Sequence, residues 1–299
     1  VDVYVDLHGG DQLMSLDNVL RYRTPFWSSL SGITETRGSF WEEGDPDADS
    51  LEAMIDRATT AVALGFSRLK FDLDAFGRSR DRGDRSLTQQ ELAAIRERAQ
   101  GVRNAVGQDI GIAFDCHWRF DIPTALAVAE AVAPSQPMWL EDPVPPHPST
   151  LRAVTERSPV PIATGENVYL LDGFMPFVEE NSLHIVTPDV QKTGGLLETL
   201  RIADFAGRRF MPIAPHCIAS PLGFMASAHV MAAAANAMCL EFHGTDVPFW
   251  NELVSGPPVI EKGRCAIADA PGIGVDLNLE VVRAYSAPGE PVFDQPPVR

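Results

Sequence analysis

The chain has 299 residues, with 24 Lys and Arg against 41 Asp and Glu, so its formal net charge is −17 and its sequence pI is about 4.7. This negative charge makes nucleic acid and anionic membranes poor partners, and neither is predicted. With 45% hydrophobic and 22% charged residues, the composition excludes disordered, collagen-like and coiled-coil chains. The length suits one β/α barrel with short additions.

The cysteine pattern and the N-terminal residues indicate a cytoplasmic protein. Four cysteines are present without a C-x-x-C pair, which predicts reduced thiols rather than a disulfide framework. The first residues are not a basic segment followed by an apolar run, and no apolar run approaches the roughly 18 residues that span a bilayer. We therefore expect neither a secreted nor a membrane-embedded protein.

Short apolar runs alternate with amphipathic stretches from about residue 47 onwards, a pattern typical of β-α units around a parallel sheet. An early strand is predicted near residues 26–31. Further strands are predicted at residues 68–73, 110–115, 138–141, 161–164, 184–187, 211–214 and 238–242. Helices are predicted at residues 50–64, 88–106, 123–132, 148–157, 171–179, 195–206 and 221–235. Eight strands with seven intervening helices predict an α/β fold, a TIM-like barrel of the (β/α)7β type.

The chain is predicted to have three parts. Residues 1–23 form a segment that leads into the barrel, residues 24–275 form the barrel, and residues 276–299 form a C-terminal appendage. Within the barrel, residues 74–87 have the composition of a charged loop. Residues 243–275 are rich in Gly and Pro and are expected to be a long surface excursion.

Ionisable residues stand at or just after the end of almost every predicted strand. In a β/α barrel the carboxyl ends of the strands converge on one mouth, where the active sites of this fold lie. The residues at these strand ends are Lys70, Asp72, Asp115, His117, Glu141, Glu166, Asp189, His216 and Glu241. The sequence therefore predicts one polar cluster at the barrel mouth.

Three acidic residues of this set predict a metal site. Asp115, Glu141 and Glu166 follow successive strands at spacings of 26 and 25 residues, about one β-α unit. Adjacent strands would place these carboxylates side by side, where their mutual repulsion favours a hard divalent cation. Ligation by oxygen alone favours Mg²⁺ or Mn²⁺ over Zn²⁺.

Two consecutive strands end on a pair that suits a general base. A carboxylate such as Asp189, hydrogen-bonded to one nitrogen of His216, would fix the imidazole tautomer and raise the basicity of the other nitrogen. Across the barrel, His117 and Lys70 offer a second acid or base and a cation.

Seven motifs at barrel-unit spacing carry a resemblance to a known family. They are KFD (70–72), FDCHWRF (114–120), WLEDPVPP (139–146), TGENVY (164–169), PDVQKTGG (188–195), APHCIASPLG (214–223) and LEFHG (240–244). Over about residues 60–275 the chain resembles the mandelate racemase subgroup of the enolase superfamily. Within that subgroup it resembles the sugar-acid dehydratases of the galactonate type.

The resemblance implies a barrel behind an N-terminal capping domain, a Mg²⁺ site, and removal of the proton α to a carboxylate. It implies that Asp115, Glu141 and Glu166 are the Mg²⁺ ligands and that His216 with Asp189 is the catalytic dyad.

The same resemblance implies roles for three further residues. Lys70 corresponds to the lysine that contacts the substrate carboxylate, and Glu241 to the residue that hydrogen-bonds the enediolate oxygen. His117 corresponds to the general acid of the galactonate-type dehydratases. The implied substrate is a small sugar acid, an aldonate or aldarate, and the implied assembly is a homo-oligomer.

The chain departs from two branches of the superfamily. Mandelate racemase has a second lysine where this chain has Asp72, so a racemisation with two bases is disfavoured. The muconate lactonizing branch has a lysine where this chain has Asp189, which disfavours that branch too. Lys192 lies three residues further along, beyond the predicted strand end.

The capping domain is expected to lie outside this sequence, because residues 1–10 (VDVYVDLHGG) resemble the stretch that enters the barrel. A second chain supplies this lid, the chain is truncated, or this homologue has lost it. In each case we expect the barrel mouth of the chain alone to be open to water. A separately supplied capping segment should then raise activity.

Three functions fit these residues. The first is dehydration of a sugar acid to a 2-keto-3-deoxy acid through an enediolate. The second is racemisation or epimerisation through the same enediolate, with His117 or Asp72 as the second base. The third is a barrel that binds a metal or ligand without turnover.

Overall fold

The computed structural model describes residues 1–7, 50–73, 85–243, 249–256, 259–267 and 269–286. A parallel sheet forms the centre of the fold. Its strands are β1 (Val3–Asp6), β2 (Arg68–Asp72), β3 (Gly111–Asp115), β4 (Trp139–Glu141), β5 (Ile162–Thr164), β6 (Ile185–Val186) and β7 (Leu240–Phe242). The seven strands lie in the order β6-β5-β4-β3-β2-β1-β7.

A single residue joins the two edges of this sheet. Ile213 forms parallel bridges to Val186 on one side and to Ala237, just before β7, on the other. Ile213 thus occupies the eighth position, and the sheet closes into the predicted β/α barrel. The strand predicted at residues 211–214 is present only as this bridge.

Helices cover the outside of the sheet. They are α1 (Leu51–Ala63), α2 (Gln89–Val106), α3 (Ile122–Val132), α4 (Pro148–Thr155), α5 (Leu170–Glu179), α6 (Leu196–Gly207), α7 (Pro221–Ala233) and α8 (Leu279–Tyr285). The first seven match the predicted helices to within two residues at each end. Local capping explains this agreement: Thr88 and Glu91 form a capping box at α2, and the Asp121 side chain accepts from the Thr124 amide at α3.

The N-terminal segment differs from its prediction. We expected residues 1–23 to precede the barrel, but β1 is a barrel strand, paired in parallel with β2 through Val5 and with β7 through Tyr4. Val3, Tyr4 and Val5 are all buried, as a strand covered on both faces requires. The strand predicted near residues 26–31 lies outside the described residues. The other domain boundaries stay predictions.

The C-terminal part adds a small antiparallel pair, β8 (Val254–Ser255) and β9 (Asp276–Leu277), followed by α8. The segment between these strands is tied to the start of the chain, since Cys265 N donates to the carbonyl of Val1. Among the described residues, no helix is long and apolar enough to cross a membrane.

The barrel interior is filled in layers, which places the polar residues at the mouth. Below the mouth lies an apolar layer of Tyr4, Ala113, Trp139, Ala163, Ile185, Ala214 and Cys239. Several members stand two residues before an ionisable residue and therefore share its face of the strand, as Ala113 does with Asp115. This packed layer closes the interior from below and leaves the ionisable side chains at the carboxyl ends.

Gly65, in the turn between α1 and β2, provides a stability prediction. Its φ is +96°, and an added Cβ would lie 2.7 Å from the backbone Cα of Lys262. Gly107 is a matched control, because its φ is +82° but an added Cβ would meet nothing within 4 Å. We expect Gly107→Ala to cost about 1–3 kcal/mol from backbone strain, because its φ of +82° with ψ of −178° is essentially restricted to glycine, and Gly65→Ala to cost about 1–3 kcal/mol more from the clash.

Urea denaturation of both variants measures this difference in the free energy of unfolding. Equal losses would show that the 259–267 segment does not pack against the α1–β2 turn as described.

Candidate active site

Three carboxylates converge at the ends of neighbouring strands. Asp115 ends β3 beside Glu141 at the end of β4, and Glu166 follows β5. One oxygen from each lies within 4.8 Å of the others, and all three side chains are buried. The Oε1 atom of Glu141 accepts no hydrogen bond from any described residue, although it is buried. Oxygen-only ligands and this unpaired buried oxygen fit a hard divalent cation.

Lys70 lies at the centre of the acidic cluster. Its Nζ atom is 2.9 Å from Asp115 Oδ2, 3.4 Å from Glu141 Oε2 and 2.7 Å from Glu241 Oε1. Burial would lower the pKa of Lys70, but the three carboxylates outweigh it and raise the pKa well above its usual value. The ammonium group therefore stays charged and holds these acids together.

The acids in contact with Lys70 have very different proton affinities. Burial raises the pKa of Glu141 to about 8, against the opposing effect of Lys70. Burial also acts to raise the pKa of Glu241, but Lys70, His216 and the Cys217 amide outweigh it and lower the pKa to about 2. Burial thus favours the protonated form of Glu141, whereas the charges around Glu241 favour its ionised form.

His216 and Asp189 form the predicted pair. Nδ1 of His216 lies 2.7 Å from Oδ2 of Asp189. The other Asp189 oxygen accepts from the backbone amides of Gln191 and Lys192 at 2.7 and 3.3 Å. With both oxygens engaged, Asp189 is fixed and directs Nε2 of His216 towards the cluster, where it lies 3.2 Å from Glu166 Oε2.

The surroundings of His216 favour its protonated form. Burial would lower its pKa, but Glu166, Glu241 and the bond to Asp189 raise it to about 9. A general base must be neutral, so this imidazole becomes a base only when the charge of Glu166 is balanced by another group.

His117 approaches the cluster from the other side of the barrel. The eight-position ring puts β3, which precedes His117, opposite the Ile213 position, which precedes His216. The φ angles of His117 and Trp118 are +43° and +57°, and this left-handed turn folds the loop back on itself. The His117 amide donates to Asp115 Oδ1 at 3.0 Å, and its Nε2 lies 3.8 Å from Asp115 Oδ2.

Asp72 and Lys192 lie at the edge of the cluster. Asp72 pairs in register with Asp115. One carboxylate oxygen from each of these residues and one ring nitrogen of His117 lie within 4.8 Å of one another. The Lys192 side chain is 36% exposed, and its Nζ reaches within 3.9 Å of Glu166 Oε1. Lys192 follows the end of β6, as predicted, yet its side chain still reaches the cluster.

Comparison with known proteins places the chain in a family. Residues 53–281 match the family described as enolase C-terminal domain-like. The chain belongs to this family. The resemblance to the enolase and mandelate racemase superfamily is therefore confirmed.

Curated relatives of this enolase-family chain are sugar-acid dehydratases by name. It is 38% identical over 256 residues to a D-xylonate dehydratase of Haloferax volcanii, covering 85% of this chain and 61% of the relative. It is 28% identical over 284 residues to a D-gluconate dehydratase of Thermoproteus tenax, covering 91% of this chain and 54% of the relative. The chain thus spans less than two thirds of either relative.

Solved structures agree with the fold. A mandelate racemase/muconate lactonizing enzyme-like protein from Rubrobacter xylanophilus matches with a TM-score of 0.83 and 34% identity, over 98% of this chain and 70% of that one. A putative mandelate racemase/muconate lactonizing enzyme from Labrenzia alexandrii matches with a TM-score of 0.74 and 28% identity, over 80% of this chain and 64% of that one.

Sequence reasoning missed three residues that support the site of this enolase-family barrel. Trp139 donates its indole N–H to Glu141 Oε2 at 3.0 Å, and Asn167 donates its amide to Glu166 Oε1 at 2.9 Å. Asp142 is fully buried and accepts from the Thr164 hydroxyl. Only Trp139 carried a sequence signal, since it stands two residues before Glu141 on the same strand face.

Proposed function

We propose that the protein is a Mg²⁺-dependent dehydratase that converts an aldonate or aldarate into a 2-keto-3-deoxy acid. The observation that carries this proposal is the placement of two histidines, His216 with its Asp189 partner and His117, on opposite sides of a buried carboxylate cluster. The names of the curated relatives, dehydratases of D-xylonate, D-gluconate and D-galactonate, support the reaction class.

The cation is proposed to bind to Asp115, Glu141 and Glu166. Their shared oxygen-only chemistry supports this assignment, and so does the buried Oε1 of Glu141, which accepts no hydrogen bond within the described part of the chain. Bound there, Mg²⁺ would supply positive charge where negative charge develops on the substrate carboxylate.

Lys70 and Glu241 are proposed to act together on the substrate. Their 2.7 Å ion pair keeps Glu241 ionised before substrate binds. A substrate carboxylate that attracts the Lys70 ammonium weakens this pair, which raises the pKa of Glu241. The acid then takes up a proton and can donate a hydrogen bond to the enediolate oxygen.

The two histidines are proposed to divide the proton transfers. His216 Nε2 accepts the proton as the C2–H bond breaks, and the electron pair is delocalised into the carboxylate. His117 donates a proton to the C3 hydroxyl, so that the C3–O bond breaks and water leaves. The resulting enol takes a proton at C3 and becomes the 2-keto-3-deoxy acid.

A screen of aldonic and aldaric acids with Mg²⁺ tests this function, read out as 2-keto acid formation. We expect Mg²⁺-dependent formation of a 2-keto acid from at least one substrate and its loss on chelation. Tight Mg²⁺ binding without turnover of any sugar acid would instead favour a binding barrel. The cytoplasmic location and the homo-oligomer stay predictions.

Epimerisation is the second candidate, because Asp72 lies beside Asp115 and His117 where it could serve as another base. If the protein is a dehydratase as proposed, Asp72 is not the base that removes the C2 proton. Asp72→Asn should then lose less than about tenfold in kcat/KM, against the roughly 10²–10⁴ of a lost general base. Steady-state kinetics of Asp72→Asn and His216→Asn, measured side by side, provide the comparison. A loss in Asp72→Asn as complete as that in His216→Asn would favour the epimerase.

A further inference from the structure

Trp139 has an unusual place for so large a side chain, inside the barrel and directly beneath the mouth. It belongs to the apolar interior layer and is fully buried. Its register partner on β3 is Ala113, which leaves room for the ring. Tyr4 packs edge-on against the indole, with ring centroids 5.5 Å apart and planes at 83°. The indole is therefore held in one orientation.

That orientation directs the only polar atom of the ring at a carboxylate. Trp139 and Glu141 lie two residues apart on β4 and share a face, and the indole Nε1–H donates to Oε2 of Glu141 at 3.0 Å. An indole nitrogen can donate but never accept, so this contact favours the ionised carboxylate and fixes which oxygen it engages.

The contact makes the two oxygens of Glu141 inequivalent. Oε2 is taken by Trp139 and lies 3.4 Å from the Lys70 ammonium. Oε1 is buried and accepts no hydrogen bond from the part of the chain that the structure describes. A cation at the carboxylate cluster would therefore find only Oε1 available from Glu141.

We propose that Trp139 is a positioning residue that engages Oε2 of Glu141 and so leaves Oε1 as the single oxygen that this carboxylate offers to the cation. The inference rests on the metal site of the proposed function. It goes beyond the ligand set by naming the ligand atom and the side chain that selects it. Hydrogen bonds to metal-bound carboxylates orient them, and losing such a partner typically costs about 10–100-fold in metal affinity.

The test compares Trp139→Phe with a matched control, Trp250→Phe. Trp250 is also buried, but its indole donates to the main-chain carbonyl of Ala219 at 2.8 Å rather than to a carboxylate. Calorimetric titration with Mg²⁺ and electron paramagnetic resonance with Mn²⁺ measure binding without reference to turnover. We expect Trp139→Phe to bind either ion about 10–100-fold more weakly and Trp250→Phe to bind as the wild type does.

A spectroscopic signature tests the same contact in the unmutated protein, so the proposal stays testable even if Trp139→Phe does not fold. The indole ¹⁵N–¹H signals of Trp139 and Trp250 are assigned by specific labelling or by their absence in each variant. Addition of Mg²⁺ should shift the Trp139 signal and leave the Trp250 signal in place. A Trp139→Phe variant with unchanged Mg²⁺ affinity, or a Trp139 signal that does not shift when Mg²⁺ binds, would overturn the inference.

These outcomes separate the inference from the proposed function. Wild-type protein that binds Mg²⁺ with the expected Trp139 response, yet dehydrates no sugar acid, would overturn the dehydratase and leave the role of Trp139 standing. A Trp139→Phe variant that binds Mg²⁺ with normal affinity and dehydrates a sugar acid would overturn the role of Trp139 and leave the dehydratase standing. Wild-type protein that binds neither ion would overturn both.

Discussion

His216→Asn is expected to abolish both exchange of the substrate C2 proton with solvent and elimination of water. The dyad places Nε2 of His216 at the cluster, 3.2 Å from Glu166 Oε2. Asparagine cannot accept the proton, so the enediolate does not form. Incubation in deuterated solvent followed by NMR measures exchange and elimination together.

His117→Asn is expected to separate these two steps. His216, Lys70 and the carboxylates remain in place, so the C2 proton should still exchange with solvent. Elimination should slow by about 10²–10⁴, the usual effect of a lost general acid. A modest, parallel loss in both steps would indicate a packing role for His117. Loss of exchange in His117→Asn, with exchange retained in His216→Asn, would mean that the two roles are reversed.

Glu166→Gln is expected to produce the next largest effect, because it removes one of three converging carboxylates. We expect Mg²⁺ affinity to fall by more than the roughly 10–100-fold that accompanies loss of an outer hydrogen-bonding partner. Dehydratase activity measured at moderate Mg²⁺ concentrations should fall together with the affinity. Calorimetric titration measures the affinity directly.

Glu198→Gln is the control for this prediction. Glu198 accepts the Leu171 amide at the start of α5 and lies outside the carboxylate cluster. Its loss should leave Mg²⁺ binding unchanged. Unchanged Mg²⁺ affinity in Glu166→Gln, or an equal loss in both variants, would contradict the proposed ligand set.

Much of the barrel could be predicted because its signals are local. Helix starts follow from caps such as the Thr88–Glu91 box, and strands such as β3 are short apolar runs between those helices. β1 was missed because it is only four residues long, too short for its alternation to mark it as a barrel strand. The Ile213 bridge was predicted as a longer strand, because an apolar run indicates burial but not the number of ladder contacts.

For each site residue, the sequence predicted the strand at whose end the residue lies. The 26-residue spacing from Asp115 to Glu141 equals one β-α unit, and the register pairs these two residues. The side-chain contacts within the site depend on rotamers and unusual backbone angles, which sequence periodicity does not encode. The approach of His216 to Glu166 is one such contact, and the inward turn of Asp142, at φ +43°, is another.

The most direct test of the central claim is to run the reaction in deuterated water with Mg²⁺ and to follow the sugar acid by NMR. Elimination through an enediolate predicts a 2-keto-3-deoxy acid that carries one solvent-derived deuterium at C3 at early times, formed only when Mg²⁺ is present. Recovery of substrate or its C2 epimer with deuterium at C2, and no 2-keto acid, would contradict dehydration.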